Sequence, residues 1–183
     1  MLSGRLHTFL FADLVGYTAL TELHGDEVAA DLAIRLGAES ARLAREHGAR
    51  LLKCVGDEVM IRADNAAEAV LMGLRLSDRL GAAGLPPVHA GAHTGRAIER
   101  RGDWYGAAVN LAARVAATAR GGELLITEAT VAAAGEMSDV VLECLGPQLF
   151  KNVSGATSVY SARLAPQSAA ARTLVAVPAL SPA

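Results

Sequence analysis

The chain has 183 residues, enough for one domain with a full core. It is 52% apolar but only 4% aromatic, so Ala, Leu and Val must supply most of the packing. The net charge of −2 argues against nucleic-acid binding through a broad basic surface, and no run of eighteen uncharged apolar residues is present to form a membrane-spanning helix.

Residues 1–7 lack a long apolar stretch, so no secretory leader is expected and the predicted location is cytoplasmic. Cys54 and Cys144 are too few for a disulfide framework and have no metal-ligand spacing. They are expected to be reduced, buried thiols.

Residues 6–13, rich in Phe and Leu, read as a strand. Residues 17–47 read as helix, broken near Gly25, where Gly25-Asp26 can restart it. Leu32, Leu36, Leu43 and Ala44 recur at helical spacing, and Gly48 fits the stop. Residues 50–55 and 58–63 read as strands joined at Gly56-Asp57, a hairpin signal. Asn65-Ala66-Ala67-Glu68 has the form of a capping box opening a helix to about residue 81. Leu85-Pro86-Pro87 is a loop. Residues 88–93 and 95–99 read as strands, followed by a turn at Arg100-Arg101-Gly102-Asp103. A helix over 106–119 stops at Gly121-Gly122, and Leu124-Leu125-Ile126-Thr127 is a short buried strand. A small helix, 128–134, and two or three short strands ending near Arg163 complete the pattern.

The order β-α-β-β-α-β with additions predicts an α+β fold. It is a ferredoxin-like core with extra C-terminal strands, one antiparallel-rich sheet with helices on one face. Residues 1–165 read as a single folded domain. From 166 to 183 the composition collapses to Ala, Ser, Pro and Val, and this tail is expected to be disordered or loosely held.

Two carboxylates stand in settings suited to a metal against a phosphate. Asp13 ends the run Thr8-Phe9-Leu10-Phe11-Ala12 and opens Asp13-Leu14-Val15-Gly16-Tyr17-Thr18, which leads into a helix. Asp57 lies in the Gly-Asp turn of Lys53-Cys54-Val55-Gly56-Asp57-Glu58-Val59. If the first strand lies beside the hairpin, Asp57 falls near Asp13, and divalent cations would remove their repulsion. Hard oxygen ligands point to magnesium or manganese. Taken singly, a helix cap and a turn former are the plainer readings. The open N–H groups of Val15, Gly16, Tyr17 and Thr18 at a helix start suit a triphosphate. Asn110 and Arg114 lie at i and i+4 on one helical face, an amide beside a permanently charged fork. Alone, such a pair reads as a solvated face. His89 and His93 share a strand face without a third ligand, and a structural role is expected.

Four blocks, in this order, resemble the class III nucleotidyl cyclase catalytic domain, most like a bacterial stand-alone adenylate cyclase. They are Phe11-Ala12-Asp13-Leu14-Val15-Gly16-Tyr17-Thr18, Lys53-Cys54-Val55-Gly56-Asp57, His93-Thr94-Gly95, and the run from Gly102-Asp103-Trp104-Tyr105-Gly106 through Asn110 to Arg114. The match spans roughly residues 6–163. The resemblance implies that Asp13 and Asp57 bind two Mg²⁺ or Mn²⁺ ions, helped by the Leu14 carbonyl. It makes Lys53 and Asp103 the purine-selecting pair. Asn110 would orient the ribose, and Arg114 would stabilise the pentavalent α-phosphate. Lys151, in Leu149-Phe150-Lys151-Asn152-Val153, matches a triphosphate-binding lysine, although Asn152 stands where Gly is common.

The implied reaction is two-metal-ion attack of the ribose 3′-hydroxyl on the α-phosphate of ATP, giving cyclic AMP and pyrophosphate for signalling. Chemistry favours ATP independently. Lys53 can only donate and ionised Asp103 can only accept, which complements the pairing edge of adenine and mismatches that of guanine. The family also implies a homodimer with two shared sites. Asp13 and Asp57 would come from one subunit, and Lys53, Asp103, Asn110 and Arg114 from the other. A stand-alone enzyme and a catalytic fragment of a longer chain are both compatible with these motifs. The rivals are a diguanylate cyclase, suggested by Val55-Gly56-Asp57-Glu58-Val59, a weak or inactive nucleotide-binding or dimerisation module, a guanylate cyclase, and an unrelated ferredoxin-like domain carrying the motifs by chance. The first leaves Lys53, Asp103 and the Asn110/Arg114 helix without roles.

Overall fold

The computed structural model describes residues 5–166. The chain forms β1 (Leu6–Leu14), α1 (Tyr17–His24), α2 (Asp26–Glu46), β2 (Arg50–Val55), β3 (Glu58–Ala63), α3 (Ala66–Ala82) and β4 (Val88–Arg96), the expected β-α-β-β-α-β core with its first helix broken in two. A small hairpin follows, β5 (Ile98–Arg100) and β6 (Asp103–Tyr105), then α4 (Ala107–Ala116), β7 (Leu124–Thr127), α5 (Glu128–Ala134), β8 (Val140–Leu149) and β9 (Ala156–Leu164). The main sheet has seven strands in the order β2-β3-β1-β4-β7-β9-β8. Only β4 and β7 run parallel; the other neighbours are antiparallel. The proposed tail, from residue 167 on, lies outside the described residues.

β1 sits at the centre of the core, between β3 and β4. Its sequence is apolar on both sides of the pleat. Leu10, Ala12 and Leu14 pack with Leu36 and Leu43 of α2 and Leu76 and Leu80 of α3. Phe9 and Phe11 point the other way, onto Ala108, Ala112 and Ala116 of α4. The expectation of helices on one face is therefore corrected: α2 and α3 cover one face of the sheet and α4 covers the other. A strand buried on both faces needs cover on both.

α4 lies very close to β4, and two glycines make the approach possible. A Cβ on Gly95 would stand 2.7 Å from the Ala108 Cβ. One on Gly91 would run into the α4 backbone itself. β4 is also a single strand. Its ladder with β1 continues unbroken through Gly95 to Arg96, rather than stopping at residue 93.

Other expectations are refined by particular contacts. Gly25, at φ 85°, separates α1 from α2. The Asn65 side chain caps α3, accepting from the N–H groups of Ala67 at 2.9 Å and Glu68 at 3.3 Å. The reciprocal half of the capping box does not form, because the Glu68 carboxylate turns to His47 Nδ1 at 2.7 Å. The C-terminal segment makes two long strands, β8 and β9, rather than several short ones. Both cysteines are free but exposed, not buried. Cys54 is on β2 and Cys144 on β8, the two edge strands of the sheet. No helix of the described residues is long and apolar enough to cross a membrane.

Candidate active site

Asp13 leaves the sheet at the end of β1, opposite Glu58 on β3 and His89 on β4. Asp57 sits in the two-residue turn joining β2 to β3, where Gly56 takes φ 58°. The β1–β3 ladder thereby sets the turn carboxylate beside the strand-end carboxylate. Burial, and then the Asp13 carboxylate next to it, push the Asp57 carboxyl up to about 6. Glu58 is also raised, by burial and by the charge of Asp57. The Oδ1 atom of Asp13 is buried without a hydrogen-bond partner. Crowded oxygen donors, one unpartnered, with the Leu14 carbonyl next in sequence, fit a divalent cation. Among the described residues no cluster of three or more His, Cys, Asp or Glu side chains is set to hold a metal.

His89 belongs to this site, and the sequence did not reveal it. Its Nδ1 lies 3.0 Å from the carbonyl oxygen of Ala116 and its Nε2 lies 3.4 Å from Asp13 Oδ2. A carbonyl can only accept, so Nδ1 carries the proton of that bond and Nε2 is turned to Asp13. The partnership depends on the β1–β4 register, which pairs Asp13 with His89. His93 keeps the expected structural role. Its Nδ1 meets the Thr127 hydroxyl at 2.8 Å, and burial pushes its imidazolium form down.

The turn into α1 is narrower as a phosphate cradle than its sequence suggests. The Val15 N–H donates to the Pro87 carbonyl at 2.9 Å, so it is not open. Gly16, at φ 75°, precedes α1, and the first intrahelical bond runs from the Leu20 N–H to Gly16, so the N–H groups of Gly16, Tyr17, Thr18 and Ala19 are the orphan donors of the first turn.

Lys53 and Asp103 meet although 50 residues separate them. The Lys53 ammonium donates to both carboxylate oxygens of Asp103, at 2.9 and 2.8 Å. Asp103 also accepts from the Trp104 N–H at 2.8 Å. The Lys53 hydrogen bond first, then the Trp104 N–H, hold the Asp103 carboxyl below its ordinary range. The pair is therefore charged, with donors beside acceptors on a half-exposed edge.

Asn110 is exposed and Arg114 half-buried on α4, while Leu111, Ala112, Val115 and Ala116 form its buried side. A groove of about 360 Å³ runs between Asn110 and the turn Asn152-Val153-Ser154, with His93 and Leu111 among its walls. Lys151 is exposed in that same turn. Among the described residues, no hydrogen bond or ion pair joins Asp13 or Asp57 to Lys53, Asp103, Asn110 or Arg114.

The sheet sets the Asp57 turn carboxylate beside Asp13 of β1, and Lys53 of β2 meets Asp103 of β6. Residues 6–161 match the family model of the adenylate and guanylate cyclase catalytic domain. The chain belongs to that family.

Among proteins similar in sequence is a pH-sensitive adenylate cyclase of Mycobacterium tuberculosis, 32% identical over 167 residues, covering 87% of this chain and 41% of that protein. Another is an adenylate cyclase of Glutamicibacter nicotianae, 39% identical over 116 residues, covering 63% of this chain and 29% of that protein. The chain thus spans less than half the length of these relatives. In fold it is similar to the adenylyl cyclase CyaB of P. aeruginosa, with a TM-score of 0.75 at 23% identity, covering 88% of this chain and 95% of that one. A Trypanosoma brucei adenylate cyclase in its monomeric state gives a TM-score of 0.77 at 22% identity over 89% of this chain and 90% of that one.

Proposed function

We propose that the chain is an adenylate cyclase catalytic domain, converting ATP to 3′,5′-cyclic AMP and pyrophosphate. The observation that carries the choice of ATP is the Lys53–Asp103 contact, with Nζ 2.8 Å from Oδ2. It fixes a pure donor beside a pure acceptor, the complement of adenine's ring nitrogen and amino group. Relatives named adenylate cyclase support the same substrate.

Asp13, Asp57 and the Leu14 carbonyl would hold two Mg²⁺ or Mn²⁺ ions. Bound there, such ions supply positive charge to the triphosphate and acidify the ribose 3′-hydroxyl. The open N–H groups at the start of α1 would receive phosphate oxygens, with Lys151 adding a charge. Asn110 would orient the ribose. Arg114 would face the α-phosphate as charge accumulates on its equatorial oxygens. A 3′-oxygen–phosphorus bond forms, the bond to the β-phosphate oxygen breaks, and the hydroxyl proton passes to solvent. No side-chain base is required.

The chain carries both residue sets, which supports a homodimer with two shared sites. Asp13 and Asp57 of one subunit would then complete the Lys53, Asp103, Asn110 and Arg114 half of the other.

Purified protein with manganese and either ATP or GTP tests this reading. Cyclic AMP from ATP, abolished in Asp57→Ala, is expected. Cyclic GMP, cyclic di-GMP or no product would overturn it. Mixing Asp57→Ala with Arg114→Ala subunits tests the shared site, and activity should return in the mixture. Persistent inactivity of well-formed mixed dimers would sink the sharing.

A further inference from the structure

We propose that Trp104 is the positioning residue for purine selection: by anchoring the β5–β6 hairpin to the sheet, it holds Asp103 against Lys53 and so sets the preference for adenine over guanine. This rests on the reading of Lys53 and Asp103 as the purine-selecting pair.

The β5–β6 hairpin is a two-stranded sheet of its own, separate from the main one. Its strands have three residues each, and a ribbon that small has little stability by itself. Ile98, Glu99, Arg100, Arg101, Gly102 and Tyr105 are all exposed. Trp104 is the one buried residue among them, at 9% exposure. The seat of this ring and the partly exposed Lys53–Asp103 contact are the side-chain anchors that tie the hairpin to the main sheet.

The seat is built by three side chains of the main sheet. The His7 ring meets the indole edge-on at 4.7 Å and Phe9 lies at 5.6 Å. The Arg62 guanidinium stands 5.1 Å from the ring centroid. Asp64 ties two of these walls together, accepting from Arg62 at 3.1 Å and pairing with His7 Nδ1 at 2.7 Å. The walls of the seat are thus bonded to one another as well as to the indole. Trp104 then transmits that position to its neighbour directly, since its backbone N–H donates to Asp103 Oδ1. A recognition pair read by hydrogen bonds tolerates only small displacement, so a loosened hairpin loses discrimination before it loses the fold.

The test uses 3′-deoxy-ATP and 3′-deoxy-GTP, which lack the attacking hydroxyl, so that binding is read without turnover. Equilibrium affinities with manganese are measured for the full chain and for Trp104→Phe and Trp104→Leu, with circular dichroism confirming the fold. The parent should prefer 3′-deoxy-ATP. Trp104→Leu should lose at least about tenfold of that preference and Trp104→Phe about threefold, each tenfold being one factor of ten in the ratio of Kd values. General destabilisation would weaken both nucleotides alike and leave the ratio unchanged. Trp104 is the chain's single tryptophan, so its emission should also respond to 3′-deoxy-ATP more than to 3′-deoxy-GTP. An unchanged ratio in Trp104→Phe, and in Trp104→Leu where it folds, would overturn the proposal while leaving the cyclase reading intact. A parent that binds neither nucleotide, or prefers guanine, would overturn the purine-pair reading and this proposal with it.

Discussion

Gly91 on β4 and Ala116 on α4 touch backbone to backbone. A Cβ added to Gly91 would stand 2.1 Å from the Ala116 nitrogen and 2.5 Å from its Cα. Neither atom belongs to a flexible side chain, so the helix itself would have to move. Gly91→Ala is therefore expected to destabilise the domain by about 2–3 kcal/mol, at the upper end for overpacking. The urea midpoint reads this. Because α4 also carries Asn110 and Arg114, turnover of the folded fraction should fall as well, and an unchanged rate would separate α4 placement from catalysis.

Asp57 gives a pH dependence whose sign can be worked out. Its carboxyl is pushed up to about 6 from an ordinary 3.8. The folded state thus binds this proton more tightly than the unfolded chain. The stabilisation is fully present below pH about 4 and is lost as pH rises through about 6. On the proposed metal reading, manganese would compete with the same proton. The rise in Tm on adding manganese should therefore be larger at pH 7.5 than at pH 5. In Asp57→Asn the metal-free dependence in this window should flatten, and the manganese shift should shrink at both pH values.

Lys53→Ala should separate recognition from stability. The ion pair with Asp103 is partly exposed, at 42% and 34% for the two side chains, and such pairs contribute little to folding. The melting temperature should hardly change, whereas kcat/KM for ATP should drop and its advantage over GTP should vanish. Retained ATP preference would move purine selection to other residues.

Asn65→Ala provides a control remote from the chemistry. Asn65 caps α3 beyond the far end of β3 from Asp57, accepting from two backbone N–H groups. Loss of the cap should cost about 1 kcal/mol in a thermal or urea melt. KM for ATP should stay at the parent's value, and a changed KM would mean that α3 communicates with the site.

Much of the architecture was legible because local chemistry punctuates the chain. Gly25 separates two helices, Gly56-Asp57 turns a hairpin, and Asn65 starts α3, each where the sequence placed it. These positions depend on φ preference and short hydrogen bonds, which a few neighbouring residues decide. The Asn110/Arg114 face of α4 was equally readable from its spacing. The burial of the cysteines was misjudged because exposure depends on strand order, and β2 and β8 are the two edges.

Sequence alone determined the element types, the turn and strand-end settings of Asp57 and Asp13, and the donor and acceptor character of Lys53 and Asp103, because those are properties of residues and short spacings. Only the tertiary structure decided that α4 takes the opposite face from α2 and α3, that Pro87 occupies the Val15 N–H, that His89 faces Asp13, and that Trp104 is seated by His7, Phe9 and Arg62. Each of those depends on which strands become neighbours and in what register. That choice is made by burying the whole core at once, and no local window of the chain contains it.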